Sequence, residues 1–249
     1  MTSNLKSLFK DAQGDGLSQK AVGVLVENLN ALTVAGAQGT SVQDLAGDEV
    51  TLFLAVLDES GSMAGSASEV ISAYGQMLSA LRDSKAADSI LLATWLFNTK
   101  PRLLHSFLPL SNAPELTDYQ PDGQTALFDA TLFGAASVVA YGQDLRNNGI
   151  RTKIVTVVFT DGMDNASRVT ADKVRTVVEE LLAQEMYVFA LVAFGQGYAH
   201  QMAAAMGIPN VLEVNADPSS IRRAMGTVSR SVIRASQTKI DPNAGGFFN

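Results

Sequence analysis

From residue 49 onward, short apolar runs alternate with amphipathic stretches. "VTLFLAVL" (50–57) is apolar at nearly every position, the signature of a strand buried on both faces. Comparable runs predict strands at 89–97, 102–110, 153–160, 186–194 and 210–214, the 102–110 strand ended by Pro109. Between them the apolar period changes to that of a helix. Val70, Ile71, Tyr74, Met77, Leu78 and Leu81 share one face over 67–82. The same spacing predicts helices over 127–145, 170–184, 198–206 and 218–235. Strands alternating with helices, the strands doubly buried, imply an α/β fold: a doubly wound, mainly parallel six-stranded sheet with helices on both faces.

The flanks read differently. Residues 1–48 form an N-terminal extension with a helix at 18–30, capped by Ser18 and carrying Ala21, Val22, Leu25, Val26 and Leu29 on one face. "TVAGAQGTSVQDLAGDE" after it reads as loop. Residues 49–236 form the principal domain. Residues 237–249 read as an irregular tail, with the terminal "GGFF" disordered in preference to docked on a partner.

Composition narrows the chemistry. A formal charge of -7 and 18 basic residues scattered along the chain argue against a nucleic-acid surface. Zero cysteines exclude disulfides, thiolate metal sites and cysteine catalysis. No apolar run approaches the roughly 20 residues of a membrane helix, so no membrane association is expected. "MTSNLKSLFKDAQGDG" has no signal-peptide core, and a cytoplasmic location is the expectation.

Polar residues concentrate where strands end, which in an open doubly wound sheet is where ligands bind. The first strand runs into Asp58, Ser60 and Ser62, and the fourth into Thr160, Asp161, Gly162, Asp164 and Asn165. "PDGQTAL" (121–127), with Thr125, precedes a helix between them. Each has an ordinary reading. Asp58 or Ser62 fits a cap for the helix that follows, Thr125 a cap for 127–145, and Asp161 a turn residue before Gly162. Taken together, Asp58, Ser60, Ser62, Thr125 and Asp161 are a set of hard oxygens suited to Mg²⁺ or Mn²⁺, with Ca²⁺ a further candidate. Asp164 and Asn165 read as loop residues.

Other chemistry is poorly served. The 58–65 stretch has no nucleophile elbow. His105 (a strand residue with a satisfied ring) and His200 (a helix-surface residue) supply no obvious base. A phosphatase of the haloacid dehalogenase type wants Asp-x-Asp, where this chain has Asp58-Glu59-Ser60. "DAQGDGLS" (11–18) places Asp11, Asp15 and Gly16 in calcium-loop phase, but Val22 stands where a bidentate Glu is needed; a turn leading into a helix is the better reading. Trp95 reads as core.

"DESGS", "GQT" and "TDG", in this order after apolar strands, resemble the von Willebrand factor A domain and its metal-ion-dependent adhesion site. The resemblance covers about residues 49–236. It implies a Rossmann-like sheet whose third strand is antiparallel at one edge and whose first and fourth strands are central neighbours. It also implies that Ser60 and Ser62 bind the ion directly, Asp58 mostly through water, Thr125 directly when a ligand is bound, and Asp161 directly or through water. Glu59 would point away as a bystander. The partner implied is a protein offering an Asp or Glu carboxylate to the ion, within an intracellular prokaryotic complex that works beside an AAA+ ATPase. The expectation is an interaction module with no catalysis of its own. The alternative is a Mg²⁺-dependent hydrolase using Asp58 and Asp161.

Overall fold

A computed structural model of the chain describes residues 2–195, 197–238 and 246–249. The strands are β1 Glu49–Asp58, β2 Ile90–Phe97, β3 Pro101–Pro109, β4 Arg151–Thr160, β5 Tyr187–Phe194 and β6 Asn210–Val214. They form one sheet in the order β3-β2-β1-β4-β5-β6, every neighbouring pair parallel except β2 with β3. The chain winds outward from β1 in one direction and from β4 in the other, so the switch point lies between these two central strands.

Alternation along β1 divides the core. Leu52, Leu54 and Val56 face one side, with α5 (Leu127–Asn147) and α6 (Ala171–Leu182) over them. Phe53, Ala55 and Leu57 face the other, under α4 (Ala67–Arg82) and α8 (Pro218–Gln237). A short α7 (Ala199–Met206) joins β5 to β6. Each predicted strand and helix of residues 49–236 is present, its limits shifted by at most a few residues. No helix among the described residues is long and apolar enough to cross a membrane.

The extension is more structured than its sequence suggested. Thr2–Gly14 is a helix, α1, and places Leu5, Leu8, Phe9 and Ala12 in the core beneath it. The helix expected over 18–30 is present but ends at Glu27. Ser18 caps α2 (Gln19–Glu27), and Asn30 caps a further helix, α3 (Ala31–Gly36), where loop was expected. The 11–18 stretch is the end of α1 and the turn into α2; Asp11 accepts a hydrogen bond from Asn147 and Asp15 from Gln143, both on α5. Beyond α3, Gly39 bridges to Phe107 on β3, and the Thr40 amide donates to the Phe107 carbonyl at 3.0 Å. The extension thereby covers an edge strand that would otherwise present open backbone groups.

At the other terminus, residues 239–245 of the expected irregular tail lie outside the described residues. Gly245 of "GGFF", expected to be disordered, is among these; Gly246, Phe247 and Phe248 are described. Phe247 and Phe248 pack on the second core face, and the Phe247 amide donates to Asn210 Oδ1 at 2.9 Å.

The basic residues are not all scattered either. Arg222, Arg223, Arg230 and Arg234 are spread over a dozen positions, but the helical period gathers them on the exposed face of α8.

Candidate metal centre

β1 ends at Asp58, buried to 1 % exposure and paired in register with Phe97 of β2. Its carboxylate turns back on the loop. Oδ1 accepts the Ser60 amide at 2.8 Å, and Oδ2 accepts the Thr160 hydroxyl at 2.6 Å. The last residues of the two central strands are thus tied together. The Tyr119 hydroxyl donates to the Asp58 carbonyl at 2.5 Å. Gly61–Ser66 then forms a 3-10 turn that starts at Ser60. Neither Asp58 nor Ser62 caps α4, whose N-cap, Ser66, makes no side-chain cap bond.

The turn projects two hydroxyls toward β4. Ser60 Oγ and Ser62 Oγ lie 3.1 Å apart, and Ser62 Oγ donates to Asp161 Oδ1 at 2.7 Å. The third loop is stitched to the first by its backbone. The Asp122 amide donates to the Glu59 carbonyl, and the Gly61 amide to the Gly123 carbonyl. A Cβ at Gly61 would stand 3.3 Å from the Gly123 oxygen, so this approach favours a glycine. Thr125 follows, its amide donating to Asn165 Oδ1 at 2.8 Å, while its carbonyl accepts the Asn165 and Ala166 amides. Its hydroxyl faces the Gly162 backbone, 3.7 Å from where a Cβ there would lie. Thr125 does not cap α5; the N-cap position is Ala126, without a side-chain bond. The five candidate residues therefore sit on three loops laced together beyond the C-terminal ends of β1 and β4.

Several supporting residues carried no sequence signal for their part. Thr160 anchors Asp58. Asp164 Oδ1 accepts the Phe128 amide and the Ser167 hydroxyl, and Asp129 Oδ1 accepts the Arg168 and Val169 amides. These bonds fasten the 161–169 loop to the start of α5. Glu59 faces away from the five, as the resemblance implied, but it is no bystander. It is buried to 4 % exposure and receives both Nε and Nη2 of Arg102, at 2.8 and 2.7 Å. Arg102 also reaches Asp118, so one guanidinium joins the first loop, β3 and the segment before Thr125. Arg102→Ala should cost about 2 to 3 kcal/mol, because it strands a buried carboxylate. Adding Glu59→Gln should recover part of that loss in urea unfolding; a double variant no more stable than Arg102→Ala would contradict this account.

The electrostatics bear on what the loops can hold. Burial pushes the Asp58 carboxyl up to about 6, against the hydrogen bonds from Ser60 and Thr160, and the nearby Asp161 charge adds to the rise. Burial also raises Asp161, opposed by the Ser62 hydroxyl. Among the described residues, no lysine, arginine or histidine forms an ion pair with either acid. No group of three or more His, Asp and Glu gathers anywhere among them. The donor set is two acids with hydroxyls, not a carboxylate cage. Two partly desolvated carboxylates without a countercharge, linked by the neutral hydroxyls of Ser60 and Ser62, fit a hard divalent cation.

The histidines stand apart. His200 is exposed on α7. His105 is buried on β3 with Nδ1 2.9 Å from the Ser106 carbonyl oxygen, and its Nε2 has no partner among the described residues, so its ring is only half satisfied.

No protein-family profile matches this sequence, and no curated protein sequence matches it. Solved structures do. The von Willebrand factor type A protein from Catenulispora acidiphila superposes with a TM-score of 0.53 at 11% identity, over 74% of this chain and 43% of that one. The vWF domain of the type V pili tip protein Mfa5 from Porphyromonas gingivalis gives 0.55 at 10% identity, over 78% and 98%. The PilB minor pilin from Streptococcus sanguinis gives 0.54 at 12% identity, over 76% and 63%. The match thus spans under two thirds of the pilin and under half of the Catenulispora chain. At such identities the likeness is one of fold: a von Willebrand factor A, Rossmann-like fold.

Proposed function

We propose that this chain is a metal-dependent protein-interaction module without catalysis of its own. In this reading Asp58, Ser60, Ser62, Thr125 and Asp161 hold Mg²⁺ or Mn²⁺ as a metal-ion-dependent adhesion site. The observation that supports the reading is the hydrogen-bonded run from Asp58 through Ser60 and Ser62 to Asp161, with no protein cation paired to either acid among the described residues and the Thr125 loop laced to both neighbouring loops. Bound there, the ion would attract a partner carboxylate, since in this reading its direct donors Ser60 and Ser62 are neutral and Asp58 acts mostly through water. Ser60 and Ser62 offer hydroxyl oxygens. Asp58, held by Ser60 and Thr160, sets their orientation, and Asp161 offers the second acid. The partner contributes an Asp or Glu carboxylate. Association with an AAA+ ATPase in an intracellular prokaryotic complex is carried by the motif resemblance alone. The hydrolase alternative finds no histidine base: among the described residues neither histidine bonds to any of the five.

Affinity capture with the tagged protein tests this reading. A partner should be retained in Mg²⁺ and lost in EDTA, and Asp161→Ala should fail to retain it in either. A partner held equally well in EDTA would place the interface elsewhere.

A further inference from the structure

The exposed face of α8 carries positive charge that the metal-centre reading does not use. The helix contains four arginines and no acid, in a chain whose formal charge is -7. Among the described residues none of the four takes part in an ion pair. Arg223 donates to Ser220 Oγ and Arg230 to Thr227 Oγ1, so both are propped by hydroxyls of their own helix without being neutralised. Arg234 is occupied with the Phe247 carbonyl. Between α4 and α8 runs an open groove of about 470 Å³, lined by Gln76, Ser219, Arg222, Arg223, Thr227 and Arg230.

We infer that this groove is a docking site for a short acidic segment of a partner protein, independent of the metal centre. Arg222 to Arg230 spans about 12 Å of helix, enough for roughly four residues of extended chain. Guanidinium forks suit carboxylates bidentately, and Thr227 and Gln76 add neutral donors. Charge complementarity is local. Three cations on an otherwise acidic molecule suit a compact acidic peptide. They suit a nucleic acid poorly, because its dense phosphates would meet the remaining negative surface. The opposite face of α8 is firmly held, with Ile221, Met225, Val228 and Val232 buried, so the groove is presented by a fixed element.

The test is fluorescence anisotropy of the full chain with a labelled hexaglutamate peptide, in EDTA and in Mg²⁺. Binding should be equal in both, weaken with added salt, and fall at least about tenfold in Arg222→Gln/Arg223→Gln/Arg230→Gln. The triple variant should keep the wild-type melting response to Mg²⁺, which separates this site from the metal centre. If the triple variant does not fold, Arg223→Gln and Arg230→Gln singly should each cost about threefold. No binding at millimolar peptide, or binding that ignores these substitutions, overturns the proposal. So does arginine-dependent binding of oligothymidylate or phosphatidylserine vesicles that is tighter than that of the peptide.

Discussion

Gly36→Ala should destabilise the protein by about 3 kcal/mol, a large effect for one methyl group. Gly36 ends α3, where the extension meets the principal domain. A Cβ there would lie 2.3 Å from Trp95 Cζ2 and 2.7 Å from Ser137 Oγ. Neither neighbour can yield cheaply. Trp95 is fully buried in β2, and Ser137 is held by the Phe133 carbonyl on α5. The cost should come from parting α3 from the sheet, so the released segment would include the bridge from Gly39 to Phe107. Hydrogen exchange should show the Thr40 amide losing protection before the amides of β1. A variant as stable as wild type would mean that the extension is not packed on Trp95 as described.

Asp58→Asn should abolish the response to divalent cations while leaving the metal-free protein at least as stable as wild type. The Asp58 carboxyl is pushed from 3.8 to about 6, chiefly by burial. Its folded value is the higher one, so the folded state holds this proton more tightly than the unfolded state. The stabilising contribution is complete below about pH 3.8, is lost as pH rises through 6, and is absent at neutral pH. A rise of this size corresponds to up to about 3 kcal/mol of burden on the metal-free fold at pH 7, which an asparagine does not carry. In EDTA, the wild-type melting temperature should therefore exceed that of the variant by less, or fall further below it, as pH rises from 4 to 7. With saturating Mg²⁺ the order should reverse, because ligand binding stabilises only the chain that binds, by about 2.7 kcal/mol at a hundredfold excess over Kd. An asparagine variant that is less stable in EDTA yet still gains from Mg²⁺ would contradict this.

What could be read from the chain depended on range. β1, β2, β4 and β5 are nearly unbroken apolar runs, and α4 has a clean helical face, so a local period was enough to find them. The loops of Asp58, Thr125 and Asp161 could be singled out because each adjoins such an element and the alternating order sends the strand ends to one side of the sheet. Long-range pairings left no such trace. Nothing near Glu59 announces Arg102, 43 positions away, and Thr160 looks like any strand threonine until its hydroxyl meets Asp58. In α1, Leu5, Leu8, Phe9 and Ala12 have helical spacing, but polar residues dominate the segment, and what holds it is burial against α5. The α8 stripe is hidden in the sequence because arginines 222 to 234 look dispersed until wound at 3.6 residues per turn.

The proposed function requires the Asp58, Thr125 and Asp161 loops to hold one divalent cation. Titration of Mn²⁺ into the metal-free protein, followed by electron paramagnetic resonance, tests it most directly. One Mn²⁺ should bind per chain, displaced by Mg²⁺, with no specific binding in Asp161→Ala or Thr125→Ala chains that melt cooperatively. Equal Mn²⁺ binding by wild type and both variants would contradict it.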